Sequence, residues 1–109
     1  MNAPENSFGL SQTILKQLTA ALLQYPDIKN VIIYGSRARG DFRNESDIDI
    51  AIDAPTMTSQ QFANLWNKLQ DLPLVYQLDV LHLQSLKNEL LKKKIKEEGK
   101  ALSKNNLYI

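Results

Sequence analysis

Val31-Ile32-Ile33-Tyr34-Gly35-Ser36-Arg37-Ala38-Arg39-Gly40 and, a few residues on, Ser46-Asp47-Ile48-Asp49-Ile50-Ala51-Ile52-Asp53 are the two runs that decide the fold. The first opens on a short β-branched stretch, which reads as a buried strand. It breaks at a glycine, which lets the backbone turn sharply and come close to a ligand. A short helix can begin at Ser36, and its first N–H groups, with the serine hydroxyl, are donors suited to phosphate oxygens. Arg37 and Arg39 add positive charge, and a guanidinium can hold phosphate through two parallel hydrogen bonds. The second run alternates with strand period, setting Ile48, Ile50 and Ile52 on one face and Asp47, Asp49, Ala51 and Asp53 on the other.

Asp47 and Asp49 therefore project on the same side, ~6.5–7 Å apart along a strand. Unpaired, two such carboxylates repel; a divalent cation relieves the repulsion. Magnesium takes oxygen from one or two carboxylates and completes its shell with substrate phosphates, and two ions can clamp an in-line transfer. Asp79, in Gln77-Leu78-Asp79-Val80-Leu81, is an acid inside an apolar run and costly to bury alone. A strand there, beside residues 47–53, brings Asp79 to the same site as a further metal ligand or as the group that takes a proton from an acceptor hydroxyl. A turn for anions beside acids for cations calls for a metal–nucleoside triphosphate.

Outward from these runs, the 109 residues suit one domain. Leu10, Ile14, Leu15, Leu18, Leu22 and Tyr25 fall at helical spacing, with Ser11 as N-cap and Pro26 as stop. Ser59 is placed to cap a helix to about Asp71, with Phe62, Leu65, Trp66 and Leu69 as its core stripe. Residues 75–83 read as a third strand. Leu86, Leu90, Leu91 and Ile95 mark a last helix, capped by Ser85 and stopped near Gly99. The order α-β-β-α-β-α predicts an α/β (α+β) fold, a small mixed sheet with packed helices. Residues 1–9 read as a flexible leader and 10–109 as the single domain.

Thirteen basic and 12 acidic residues leave a net charge of +1, which disfavours a protein that coats nucleic acid through bulk charge. The placement is uneven: the three arginines lie at 37, 39 and 43, and seven of the 13 bases lie after residue 86. The lysines at 92, 93, 94 and 96 surround the ridge of the last helix, as a solvated face or as a basic surface for RNA or an acidic partner. With no cysteine, disulfides, zinc–thiolate sites and cysteine nucleophiles are excluded. No signal segment or apolar run of membrane length is present, so a cytoplasmic protein with no membrane role is expected. His82 has no metal-spaced partner and reads as a satisfied strand histidine. Asp53 reads as structural; Asp41 and Glu45 read as loop charges paired with Arg43.

Gly35-Ser36, ten residues, then Asp47-Ile48-Asp49 resembles the GS-x10-DxD signature of the DNA polymerase β-like nucleotidyltransferases. The fuller runs Gly35–Gly40 and Ser46–Ala51 are similar to the minimal nucleotidyltransferase (MNT) family. The resemblance implies a polymerase β palm-like fold and magnesium (two ions) on Asp47 and Asp49, with Asp79 as the third acid. It also implies a triphosphate, ATP or another, on Gly35 and Ser36, with Arg39 as the arginine before the second glycine. It implies further a HEPN-domain partner: in toxin–antitoxin pairs of this kind the MNT protein adds AMP to a tyrosine of the HEPN ribonuclease. Small size fits an acceptor that brings its own docking surface. An antitoxin that inhibits by occlusion, a transferase acting on a small molecule, and assembly with itself or a partner stay open. The sequence departs from the family's Glu-Gly-x-x-Leu-Tyr ending, since Glu98-Gly99-Lys100-Ala101-Leu102 runs into Ser103.

Overall fold

The structure, a computed structural model, describes residues 8–102. Helix α1 (Gln12–Leu22) begins at Ser11, whose hydroxyl accepts from the Ile14 N–H as the sequence predicts. Strand β1 (Asn30–Tyr34) leads through Gly35 into a single helical turn, α2 (Ser36–Arg39). Strand β2 (Ile48–Asp53), helix α3 (Ser59–Gln70) and strand β3 (Leu78–His82) follow. A 3₁₀ turn (Leu83–Ser85), helix α4 (Glu89–Glu98) and a three-residue strand β4 (Lys100–Leu102) complete the described chain.

The sheet has the order β3-β2-β1-β4. β1 pairs antiparallel with β2 and β4, and β3 lies parallel to β2, reached by the crossover through α3. One face is closed. Val31, Ile33, Ile48, Ile50, Ile52, Leu78 and Val80 point into a core filled by Leu18, Ala21 and Leu22 of α1 and Leu65 and Leu69 of α3. The other face carries α4: Ile95 buries against Tyr34 and Ala51, with Ile32, Leu81, Leu83, Leu86 and Leu91 packed around them. Ala51, expected on the polar face of its strand, is thus buried by α4, while Asp49 on the same face lies beyond that cover.

Several sequence expectations move. Phe8 and Gly9, assigned to the leader, belong to the packed body: Phe8 is 5% exposed, and its carbonyl accepts from Arg37. Residues 1–7 and 103–109 lie outside the described residues. Thr58, not Ser59, caps α3, because its hydroxyl takes the Gln61 N–H while the Gln61 side chain reaches back to the Thr58 N–H. Asn88, not Ser85, caps α4; the Ser85 hydroxyl instead faces Nδ1 of His82 at 3.0 Å. The third strand is shorter than 75–83. Trp66 is not core: α3 turns Leu65 and Leu69 inward and leaves Trp66 42% exposed. His82 is satisfied, as expected, by the Ala54 carbonyl and Ser85, and it stacks on Phe62. Asp53 is structural, accepting from Asn30 and Gln84.

Candidate active site

Register places the acids. Antiparallel pairing sets Tyr34 opposite Asp49, and parallel pairing sets Asp49 opposite Asp79. Residues in register share a sheet face, so Tyr34, Asp49 and Asp79 form a row across three strands. Asp47 sits one residue before β2 and is exposed, as is Asp79; Asp49 is half-buried. The row bears on ionisation. Burial, then the charges of Asp79 and Asp47, push the Asp49 carboxyl up to about 6, with Arg39 opposing the rise. Burial, then Asp79 and Asp49, push the Tyr34 phenol up to about 12, so it remains a neutral hydroxyl at neutral pH.

Gly35 joins this row to the turn. Its backbone stands at φ 75°, where a side chain is strained, and an added Cβ would collide with the Asp49 carboxylate. The turn therefore lies against the acid without a side chain between them. The first hydrogen bonds of α2 are Arg39 N–H to the Gly35 carbonyl and Gly40 N–H to the Ser36 carbonyl. The N–H groups of Ser36, Arg37 and Ala38 precede them and have no partner within the turn. Ser36 is half-buried at its start. Donors for an anion and acids for a cation thus meet at the end of β1 and the start of β2.

The two arginines part company. Arg37 is 2% exposed. Its Nε donates to the Ser46 carbonyl, Nη1 to the Phe8 carbonyl, and Nη2 to the Asn44 and Ser46 carbonyls, at 2.9–3.2 Å. The guanidinium lies between the rings of Phe42 and Tyr76, 4.9 and 4.6 Å from their centres. The expectation of Arg37 as a nucleotide ligand is therefore corrected, because its donors are spent on main-chain carbonyls inside the body. What it holds is the loop that carries Asp47. Arg39 is exposed and bonds Asp41 at 3.2 Å and Glu98, at the end of α4, at 3.0 Å. Hydrogen bonds to Asp41, then Glu98, raise its pKa. Asp41 is thus paired with Arg39, not Arg43.

Asp49 and Asp79 are side by side, and Asp47 is close enough to act on Asp49 electrostatically. Among the described residues, no group of three acids converges as a ready-made metal cage. Two carboxylates with the remaining positions filled by phosphate and water is a donor set that suits magnesium, and a cation there would offset the charges of Asp79 and Asp47 that add to burial in raising Asp49. Sequence reasoning did not single out Tyr34 or Glu98. The signal for Tyr34 was its place directly ahead of Gly35, on the face of Asp49; nothing local signals Glu98, whose partner is 59 residues away.

The turn at Gly35 is thus set against a strand acid, with a second acid in register on the neighbouring strand. The polymerase β nucleotidyltransferase family matches residues 16–107, and the chain belongs to it. It is a nucleotidyltransferase with the resemblance to MNT proteins that its two motifs carry. Two relatives from Methanocaldococcus jannaschii, each bearing the name protein adenylyltransferase, are 34% identical over 86 residues, spanning 78% of this chain and 87% of theirs. A toxin–antitoxin crystal structure with AMP-PNP superposes with a TM-score of 0.65 at 25% identity, over 84% of this chain and 77% of that one. A tri-AMPylated Shewanella oneidensis HEPN toxin in complex with MNT antitoxin gives 0.55 at 26%, over 84% and 66%.

Proposed function

We propose that the chain is a magnesium-dependent protein adenylyltransferase that moves AMP from ATP to a tyrosine hydroxyl of a HEPN-domain partner, as the antitoxin of a toxin–antitoxin pair. The observation that carries this reading is the contact of the Gly35 turn with Asp49, beside Asp79 in register. The relatives' names and the AMPylated HEPN toxin among the structural neighbours support it.

In this reading Gly35 and Ser36 hold the triphosphate through backbone N–H groups and the serine hydroxyl. Asp47 and Asp49 hold magnesium, which supplies charge stabilisation to the phosphates and the departing pyrophosphate. Asp79, exposed and next to Asp49, accepts the proton of the attacking hydroxyl. The new bond joins tyrosine oxygen to the α-phosphorus; the bond to the β-phosphate bridging oxygen breaks, and pyrophosphate leaves. Arg39, once free of Asp41 and Glu98, lies near enough to Asp49 to add charge to the same region.

The test is transfer from α-labelled ATP to purified HEPN partner in the presence of magnesium. Label appears on a partner tyrosine with the wild type and falls by about a thousandfold with Asp47→Asn/Asp49→Asn. Neutralisation of the toxin by that double variant, undiminished from wild type, would establish occlusion instead.

A further inference from the structure

Two lysines of α4, Lys92 and Lys96, have no part in the chemistry above, yet they border an apolar feature of the sheet's second face. A groove of about 500 Å³ lies toward the β4 edge. Its walls are Ile32, Leu83, Ile95 and Ala101, and Lys92 and Lys96 stand at its margin. None of Gly35, Ser36, Asp47, Asp49 and Asp79 lines it. α4 can lie close to β1 here because Gly99 has no side chain: an added Cβ would strike the Ile95 carbonyl and the Ile32 side chain.

We infer that this groove docks a partner protein through a segment with an apolar anchor flanked by carboxylates. Three observations specify the occupant. The lining is almost wholly apolar, which suits an aliphatic or aromatic side chain removed from water. The margin is cationic: Lys92 has one carboxylate neighbour, Glu89 at 3.5 Å, and Lys96 has none among the described residues. Carboxylates beside the anchor complete that arrangement. Among the described residues β4 is an edge strand, with no strand paired along the outer side where an incoming chain can add. RNA fits less well, because none of the described residues that line the groove is aromatic and able to stack a base. The surface is independent of the acids, so the inference stands whether or not transfer to a HEPN tyrosine is correct.

The test is an NMR titration of the full chain with a peptide whose leucine pair is flanked by glutamates. Its counterpart with lysines in place of glutamates and a single-stranded RNA serve as competitors. The acidic peptide shifts the amide signals of Ile32, Lys92, Ile95 and Ala101 and saturates. Lys92→Glu/Lys96→Glu, at solvent-facing positions, weakens it about tenfold, Lys96→Glu alone weakens it less, and Asp49→Asn leaves it unchanged. Four results overturn the inference: no shift with the acidic peptide, equal binding of the lysine peptide, movement of the same signals by RNA, or nuclear Overhauser contacts from residues 103–109 to Ile32 and Ile95 that show the chain's own end filling the groove.

Discussion

The two faces of the sheet are built from the same strands and do opposite work. On the closed face Ile48, Ile50 and Ile52 pack into one core with α1 and α3, and the buried polar side chain in register with Ile52, His82, is satisfied by the Ala54 carbonyl and Ser85. On the other face one helix, α4, buries Ala51 and leaves Asp49, two residues earlier, beyond its cover. A half-covered face costs apolar burial but permits charged groups to sit partly out of water, where their ionisation shifts. The difference recurs at single side chains. Arg37 and Arg39 are two residues apart; one is spent entirely on main-chain carbonyls, and the other stands in solvent between two acids.

The largest break in this contrast comes from the closed face. Ile50→Ala removes a fully buried side chain between the two helices and costs about 3–4 kcal/mol in urea unfolding. Transfer activity per folded molecule should change little, since Ile50 points away from the acids.

Arg37→Ala tests whether the closed interior extends beneath the site. It strands the Phe8, Asn44 and Ser46 carbonyls and removes the cation between two rings, for a loss of about 3 kcal/mol. Arg37→Lys rescues little, because a point charge cannot reach three carbonyls in one plane. If Arg37 were instead a triphosphate ligand, Arg37→Lys would keep the unfolding midpoint and raise KM for ATP.

The smallest effect is on the open face and has the opposite sign. Asp49 titrates at about 6 when folded, above its ordinary 3.8, so the folded state holds the proton more tightly than the unfolded chain. The stability tied to it is present below the unfolded pKa and lost as pH rises through the folded one. Metal-free protein should therefore lose about 1 kcal/mol between about pH 4 and pH 7, after allowance for solvent screening. Asp49→Asn flattens that dependence and raises the neutral-pH melting point. Magnesium should stabilise wild type at neutral pH and leave Asp49→Asn unmoved.

Much of this was legible in residue order. Alternation in Asp47–Asp53 set the strand and its inward isoleucines, and Gly35-Ser36 after Val31–Tyr34 set the turn. Ser11 capped its helix as read, and Asp79 arrived beside Asp49. What stayed hidden depended on contacts distant in sequence. Ala51 looks polar-facing until Ile95 of α4, more than forty residues on, lies over it. Arg37 looks like Arg39 until Phe8, Asn44 and Ser46 close on it. Trp66 matches a helical stripe, but α3 meets the sheet through a stripe too narrow to include it. β4 is three residues long and carries no strand pattern of its own; its pairing with β1 makes it a strand.

Arg37 also bears on why the motif is counted rather than spelled. All its hydrogen-bond acceptors are carbonyls, which every residue supplies alike, so apart from Phe42, whose ring lies against the guanidinium, the clamp is blind to which side chains occupy the loop from Asp41 to Glu45. It is not blind to their number: one residue more or fewer would turn a different carbonyl toward the guanidinium and carry Asp47 out of line with the turn. Ten residues between Ser36 and Asp47 is thus a measured length of cord, fixed in its span and, outside Arg37, Gly40 and Phe42, loosely held in its composition. The loop should accept substitution broadly and insertion hardly at all.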